Sequence, residues 1–418
     1  MKWISFVSRV CLVAVIGLLT TYGKVHAVFI PVACPDASPV LQNAIDAAVP
    51  GDVISITGVC VENVLIRNKD DIRLSGATAT DGIKGRVIVV GTQLVQFTNM
   101  TVKDCTISRC SGIGAFQGAS ILLDRVTSSG HLRRGVLVTD HSFAQINRGT
   151  ITNNGREGIR ITRNFGAVIE GDPTITTVSN NGRDGLLVSG GSFVNIENST
   201  FSNNGQRGLH FNNNSTGELE NIVISSNTRT ALTVSDSGFV FLEDSMITSD
   251  IPDSAANRGG VLVNRRGVLR LRGNTITNTA DEPGGGSAIR VLAGSFLRQG
   301  RGLDIITSTN GRALGVSNQS QADLRDFTLT GNITVERHAL LRLRKDTNGT
   351  VYGNIVLQRD SAIAFTLEGS GSVTVNGTVT CLDTESSADF EDQTAIDIVG
   401  GDGNAMDCSG YGPGNSGP

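Results

Sequence analysis

The chain repeats one unit three times in succession, as GVLVTDHSFAQINRGTITNNGRE (135–157), GIRITRNFGAVIEGDPTITTVSNNGRD (158–184) and GLLVSGGSFVNIENSTFSNNGQR (185–207). The residues that open successive units are Gly135, Gly158, Gly185, Gly208, Ala231 and Gly260, which gives units of 23 to 29 residues. A period of this length is typical of a solenoid of stacked coils.

Each unit contains three short apolar alternations that are separated by Gly, Asn, Ser and Asp. In the first unit these are Val136 with Val138, Ala144 with Ile146, and Ile151. Three strands and three turns per coil predict an all-β chain folded as a single-stranded right-handed parallel β-helix solenoid of about a dozen coils. Leucine-rich repeats share the period, but the Leu-x-x-Leu-x-Leu frame and the helical half-repeat are missing here.

The two ends of the chain differ from the repeats. Residues 1–27 carry two early cations, an apolar run and a Val-His-Ala ending, which predict a secretory signal. No later stretch approaches the roughly 18 apolar residues of a membrane span. We therefore expect an exported product, periplasmic or extracellular, with a β-helix over 28–399 and a Gly/Asn/Ser-rich tail over 400–418.

Charge and cysteine content narrow the class further. The formal charge is −4, and removing residues 1–27 takes three cations and no acid, which makes it −7. This acidity argues against a nucleic-acid binder. Export permits disulfides, and the spacing of the six remaining cysteines suggests the pairs Cys34–Cys60, Cys105–Cys110 and Cys381–Cys408.

A short helix is predicted over about 38–50, ahead of the first coils. Ser38 suits the N-cap and Pro39 the first helical position, and apolar residues follow at helical spacing up to Pro50-Gly51. Such a helix would cover the open N-terminal end of a solenoid, which otherwise exposes its core and its strand edges.

These features resemble a known group. The run Gln-Asn-Ala-Ile-Asp-Ala-Ala at 42–48, Pro-Gly-Asp-Val-Ile at 50–54, Gly-Val-Cys-Val-Glu-Asn-Val at 58–64 and the Asn-Asn-Gly coils are similar to secreted β-helix proteins of the pectate-lyase-like superfamily. The resemblance implies carbohydrate polymers as ligands and covers lyases, hydrolases, epimerases and noncatalytic binding or adhesin-like members. It indicates the fold and leaves the function open.

The catalytic signatures of that superfamily are not intact. The Asp-Pro-His-Asp run of uronate epimerases and the Arg-x-Pro-x-x-Arg of calcium pectate lyases are absent. The polygalacturonase pattern fails as well, because Asp70-Asp71 falls in an expected turn and Gly130-His131-Leu132 lacks the second glycine.

Residues that recur once per coil should form ladders along the rod. The pairs Asn153/Asn154, Asn180/Asn181 and Asn203/Asn204 are best interpreted as turn-supporting ladders. Arginines follow the Asn-Gly turns in several coils, at Arg156, Arg183, Arg229, Arg258 and Arg312, with Gln206 interrupting the row. Five guanidinium groups on one edge could bind a carboxylated or sulfated chain, but we favour their interpretation as solvated turn charge.

A change of charge is predicted where the second strand of each coil ends. Glu170, Glu197, Glu220 and Glu243 give way to Arg272, Arg325 and Arg344, and residues 258–344 contain 13 Arg, no Lys and 6 acids. Arginine suits planar anions such as uronate, sulfate or phosphate. The candidate residues for binding an anionic polysaccharide or a cell-envelope glycan are Arg270, Arg272, Arg298, Arg325, Arg342 and Arg344.

Other interpretations of these charges stay open. Opposite charges along the rod also suit self-association, and a structural or adhesive rod needs no ligand at all. Stacked carboxylates suit Ca²⁺, although one ligand per coil is a thin site, so no metal ligands and no cofactor are assigned.

An enzyme of the lyase or epimerase type is the remaining alternative. Its site would lie on the outward face of the first strand and the turn after it, where a base and a cation fall on neighbouring coils. The candidates are Asp140, His141, Arg160, Arg163 and His210.

Overall fold

The computed structural model of the chain describes residues 27–34, 40–105, 107–108, 110–164, 166–172, 174–250, 259–280, 286–344, 349–366, 372–383, 385–390, 396–398 and 406–407. The signal predicted over 1–27 and the tail predicted over 400–418 lie almost wholly outside them, as do Ser38, Pro39 and Cys408. In the part described, no helix is long and apolar enough to cross a membrane.

The described strands form a parallel β-helix of about 14 turns, which confirms the predicted solenoid and its short N-terminal helix. Every strand pair is parallel, and each strand pairs with its equivalent in the next coil. Strands lie about 4.8 Å apart in such stacks. The coils contain three sheets, which we call the first, second and third sheet.

The first sheet opens each coil. Its strands are Val64–Arg67, Val87–Val90, Ile113–Phe116, Val136–Val138, Ile159–Thr162, Leu186–Ser189, Leu209–Phe211, Leu232–Val234, Val261–Val263, Ile289–Val291, the ends of Asp304–Ser317 and Phe327–Glu336, Ile355–Gln358, Val379–Cys381 and Met406–Asp407.

The second sheet follows. Its strands are Phe29–Cys34, the start of Val53–Cys60, Arg73–Gly76, the starts of Val95–Lys103 and Ser120–Ser129, Phe143–Asn147, Gly166–Glu170, Phe193–Glu197, Thr216–Glu220, Phe239–Glu243, Val268–Arg272, Phe296–Gln299, Gln321–Leu324, Leu340–Arg344, Ala362–Thr366 and Ser387–Phe390.

The third sheet closes the coil. Its strands are the end of Val53–Cys60, Gly82–Lys84, the ends of Val95–Lys103 and Ser120–Ser129, Thr150–Thr152, Thr176–Ser179, Ser199–Ser202, Val223–Ser225, Met246–Ser249, Thr275–Asn278, the starts of Asp304–Ser317 and Phe327–Glu336, Gly349–Tyr352, Val373–Asn376 and Ile396–Ile398.

The core is a set of apolar columns. Successive residues of a strand point to opposite faces, so Val138, Ile161, Val188 and Phe211 stack inward one coil above another and are at most 1% exposed. A register slip of one residue would turn such a column toward solvent. The apolar alternation therefore fixes the outward positions as well.

The turn between the first and second sheets, the first turn, uses two consecutive residues with positive φ. Asp140 and His141 have φ of 55° and 63°, and Arg163 and Asn164 have 67° and 59° in the next coil. Non-glycine residues adopt this region at a cost, which Asn and Asp bear best. Arginines at Arg163 and its equivalents are therefore unusual choices for a purely structural turn.

The turn between the third and first sheets, the third turn, contains a buried asparagine ladder. Asn154 Nδ2 donates to Asn181 Oδ1 (2.9 Å), Asn181 Nδ2 to Asn204 Oδ1 (3.0 Å), and Asn204 Nδ2 to Asn227 Oδ1 (3.0 Å). Each Oδ1 also accepts the backbone N–H of the preceding asparagine. The second asparagine of each predicted pair thus forms the ladder, whereas the first, at Asn153, Asn180 and Asn203, is exposed with a positive φ.

The helix Val40–Ala47 covers the N-terminal end of the core, with Leu41 and Ile45 fully buried. Its first turn is capped by Glu62, whose carboxylate accepts the N–H groups of Leu41 (3.0 Å) and Gln42 (3.1 Å). A carboxylate at a helix N-terminus satisfies free N–H groups and the helix dipole.

Two of the three predicted disulfides are present. Cys34 is bonded to Cys60 and Cys105 to Cys110. The third predicted pair involves Cys408, which lies outside the described residues.

Candidate ligand-binding surface

The outward residues of the second sheet form three parallel columns. The column at the strand ends runs through Glu170, Glu197, Glu220 and Glu243 in register and continues directly into Arg272. The middle column runs Glu218, Phe241, Arg270, Arg298, Asp323 and Arg342. The change from acid to arginine is therefore a real boundary on one face.

The six candidate arginines of this face differ in their partners. Arg272 Nη1 lies 2.8 Å from Glu243 Oε1. Arg344 binds Asp323 with both Nε (2.6 Å) and Nη2 (2.7 Å), and the side chains are only 15% and 4% exposed. These two arginines are held by carboxylates of the protein, and Arg325 also has an interaction partner.

Arg270, Arg298 and Arg342 make no ion pair or hydrogen bond within the described part of the chain. Arg270 and Arg298 are direct neighbours on adjacent strands, and Asp323 separates Arg298 from Arg342. Asp323 is already bound to Arg344. The middle column thus leaves three guanidinium groups, each with several N–H donors, directed away from the core.

A column of phenylalanines borders the arginines, and our sequence analysis did not identify it. A phenylalanine occupies the outward position at the start of every second strand of the second sheet, at Phe143, Phe193, Phe239 and Phe296. Two coils, or about 9.6 Å, separate each phenylalanine from the next. Phe193 is 48% exposed. A Cβ on Gly166 would lie 2.4 Å from the Phe193 ring, so the ring packs over the neighbouring glycine.

The acidic column is electrostatically crowded. Burial raises the pKa of Glu170, and the charges of Glu197 and Asp172 raise it further. Burial likewise raises the pKa of Glu220, together with the charges of Glu197 and Glu243. Over the described residues, no group of three or more potential His, Cys, Asp or Glu metal ligands occurs.

The candidate catalytic residues fall into two groups. Arg160 and His210 share one outward column of the first sheet, two coils apart with Leu187 between them. Asp140 lies in the first turn and accepts a hydrogen bond from Arg163 Nη1 at 2.8 Å. His141 follows Asp140 in that turn and is exposed.

His210 has an acidic partner that the sequence analysis did not assign to it. Its Nδ1 lies 3.3 Å from Asp184 Oδ2, and its Nε2 lies 3.3 Å from Asn212 Nδ2. Burial tends to raise the pKa of Asp184, but the hydrogen bond from His210 and the charge of Arg207 outweigh burial and lower it. His210 on the outward face, with the buried Asp184 beside it, has the arrangement of a general base and its orienting carboxylate.

The third sheet carries almost no charge on its outer face. From Thr127 to Asn376 its two outward columns hold 22 residues in eleven coils, none of them charged and 17 of them Ser or Thr. Over these eleven coils, the ionic groups of the rod are therefore confined to the other two sheets and the turns.

The stacked parallel coils and the columns on their faces define a β-helix protein. The family model described as "Right handed beta helix region" matches residues 52–172 and 134–310. The chain therefore belongs to that family. Among curated proteins, none matches the sequence significantly.

Several solved structures resemble this chain distantly. The enzymatically active domain of tailspike protein 2 of bacteriophage CBA120 has 10% identity and a TM-score of 0.41 over 87% of this chain and 47% of its own. Pectate lyase Pel9A has 15% identity and a TM-score of 0.39 over 71% and 78%. The catalytic unit of a GH87 alpha-1,3-glucanase from Streptomyces thermodiastaticus has 15% identity and a TM-score of 0.39 over 93% of this chain and 72% of its own. This chain thus spans under half of the tailspike domain, and at these scores none of the likenesses bears on activity.

Proposed function

We propose that the protein is an exported β-helix that binds an anionic polysaccharide along the outer face of the second sheet. The observation that carries the proposal is the middle column, where Arg270, Arg298 and Arg342 project without ionic partners. Guanidinium groups bind carboxylate and sulfate through paired N–H donors. Arg272 and Arg344 are each paired with a carboxylate of the protein, so we assign the main contacts to the three unpaired arginines.

The phenylalanine column supports the same ligand class. Phe296 begins the strand that carries Arg298, and Phe239 begins the strand next to the one that carries Arg270. Flat apolar rings provide contact area for the C–H faces of sugar rings, while the arginines bind the acidic groups. Two disulfides in the N-terminal coils suit an oxidising compartment outside the cytosol.

Retention on immobilised alginate at increasing salt tests this proposal. The triple variant Arg270→Ser/Arg298→Ser/Arg342→Ser should bind about 10–100-fold more weakly, since three charge contacts at the surface contribute about 0.5–1 kcal/mol each. Its matched control is Arg265→Ser/Arg337→Ser/Arg359→Ser, which removes three exposed first-turn arginines. Equal retention of the triple variant and the wild type would refute the assignment.

A lyase or epimerase is a second candidate function, favoured by the contact between His210 and Asp184. Arg160 lies two coils away in the same outward column and would neutralise a uronate carboxylate. Incubation with alginate and pectate, followed by ultraviolet absorbance for unsaturated ends and by NMR for epimerised residues, tests for activity. Activity that survives both His210→Ala and Arg160→Ala would rule out this site.

A further inference from the structure

The third turn carries a second cationic surface that the proposed function does not use. Backbone N–H groups donate from Arg156 to Arg133 (2.7 Å), Arg183 to Arg156 (3.0 Å), Gln206 to Arg183 (3.0 Å) and Arg229 to Gln206 (2.8 Å). Five consecutive coils therefore stack these side chains directly above one another. We call Arg133, Arg156, Arg183 and Arg229, with Gln206 in the gap, the third-turn ladder.

The charge beneath the ladder is arranged in a second layer. Glu157 is 3% exposed and lies 3.0 Å from the buried Arg134, but 3.7 Å from Arg156 and 4.0 Å from Arg183. The last two distances exceed those of hydrogen bonds. Glu157 therefore neutralises the inner Arg134, and the outer arginines keep their N–H donors.

The next coil repeats this arrangement. Asp184 is 4% exposed and is bound by Arg207 and His210 rather than by an arginine of the ladder. With Arg160 on the adjoining strand, the third turn and the neighbouring outward positions from Arg133 to Arg229 carry seven arginines against two carboxylates. Five positive charges in excess gather here on a chain whose formal charge is −4.

This concentration of charge is unfavourable without a ligand. Burial lowers the pKa of Arg134, and although Glu157 raises it, the charges of Arg160, Arg156 and Arg133 lower it further. Nε of Arg156 is buried and has no hydrogen-bond partner. A linear chain of anionic groups aligned with the rod would instead pair with the accessible N–H donors of the ladder, chiefly those of the exposed Arg183 and Arg229 and the half-buried Arg133, and would relieve the repulsion.

The position of the ladder determines what such binding would accomplish. In a three-sided coil, the turn between the third and first sheets lies at the corner opposite the second sheet. The uncharged outer face of the third sheet lies between the ladder and the second-sheet arginines. One polymer chain bound to each would lie on opposite sides of the rod.

We infer that the third-turn ladder is a second binding site for a linear polyanion, and that the protein bridges two anionic polysaccharide chains. Bridging rests on the proposed function of the second sheet, whereas binding at the ladder does not. The expected ligand bears repeated sulfate or carboxylate groups along one edge.

Bridging is tested with the full-length protein bound to an alginate-coated sensor, which is then exposed to fluorescent alginate or dextran sulfate. The ladder variant is Arg133→Ser/Arg183→Ser/Arg229→Ser, which retains Arg156 because that side chain is largely buried. Wild type and the first-turn control variant should capture the second polymer. The ladder variant should bind the sensor but capture at least about nine-tenths less of the second polymer. The slope of its log binding constant against log salt concentration should be smaller than that of wild type by about two to three.

A gain-of-function variant separates binding from misfolding. Gln206→Arg completes the ladder, so we expect affinity for dextran sulfate to rise several-fold and the salt slope to increase by about one. A damaged fold could not produce that result. Unchanged affinity in Gln206→Arg together with full capture by the ladder variant would overturn the inference.

The outcomes distinguish the two proposals. If the second-sheet triple variant captures polymer normally and the ladder variant does not, the second-sheet proposal fails and the ladder stands. A dimer with one binding site on each protomer could also hold two polymer chains. Sedimentation velocity tests this, and if wild-type capture arises from such dimers, the inference is wrong.

Discussion

The asparagine ladder should contribute much of the stability of the central coils, and Asn181→Ala tests this. Asn181 is 1% exposed and takes part in four hydrogen bonds: its Nδ2 donates to Asn204 Oδ1 (3.0 Å) and Ile151 O (3.2 Å), and its Oδ1 accepts from Asn154 N (3.2 Å) and Nδ2 (2.9 Å). Asn154 Nδ2 keeps Ser128 O as an acceptor, but Asn154 N–H loses its partner.

The expected cost follows from that count. A stranded buried donor costs about 1–3 kcal/mol, and the three other lost bonds add about 0.5–1.5 kcal/mol each, so we expect the free energy of unfolding to fall by about 2.5–7.5 kcal/mol. Urea unfolding followed by circular dichroism measures it, with hydrogen exchange to locate the weakened coils. The control is Asn180→Gly, because Asn180 is exposed and its φ of 56° suits glycine. A loss below about 0.5 kcal/mol in Asn181→Ala would refute the structural role of the ladder.

Three further variants test separate parts of the fold. Burial raises the pKa of Asp304 to about 6, above its unfolded value of 3.8. The folded state therefore loses stability as pH rises from 3.8 through 6. Urea unfolding should show Asp304→Asn to be more stable than wild type by about 1–3 kcal/mol at pH 7.5 and equal to it at pH 3.5. Arg344→Ser should lose about 3–5 kcal/mol because Asp323 is left buried without its partner, and unchanged thermal unfolding would contradict this. Cys34→Ser/Cys60→Ser removes a disulfide between residues 26 apart and should lower the free energy of unfolding by about 3 kcal/mol. Limited proteolysis should then cleave faster at the N-terminal helix.

The repeat predicted the Asn column and the change from Glu to Arg, but few of the contacts within the columns. Apolar alternation identifies which residues face outward, and anchoring each coil on its opening residue aligns the coils although their lengths range from 23 to 29 residues. Glu170 to Arg272 could therefore be placed on one face from the sequence. The same alternation, with Val194 and Ile196 inward, also places Phe193 outward, so the phenylalanine column was detectable. The pair Arg344–Asp323 was not, since it depends on how two side chains bend toward each other across adjacent coils.

The structure also explains how a ladder of like charges remains folded. Guanidinium groups about 4.8 Å apart repel by about 1 kcal/mol or less per pair in water. Two features oppose this repulsion: the backbone hydrogen bonds that join every coil to the next, and the buried Glu157 and Asp184 beneath the ladder. Because both carboxylates bind inner arginines, they stabilise the coil without cancelling the charge of the outer ones. Surface acids beside the ladder would also oppose the repulsion, but they would cancel the charge that the ladder presents to a ligand.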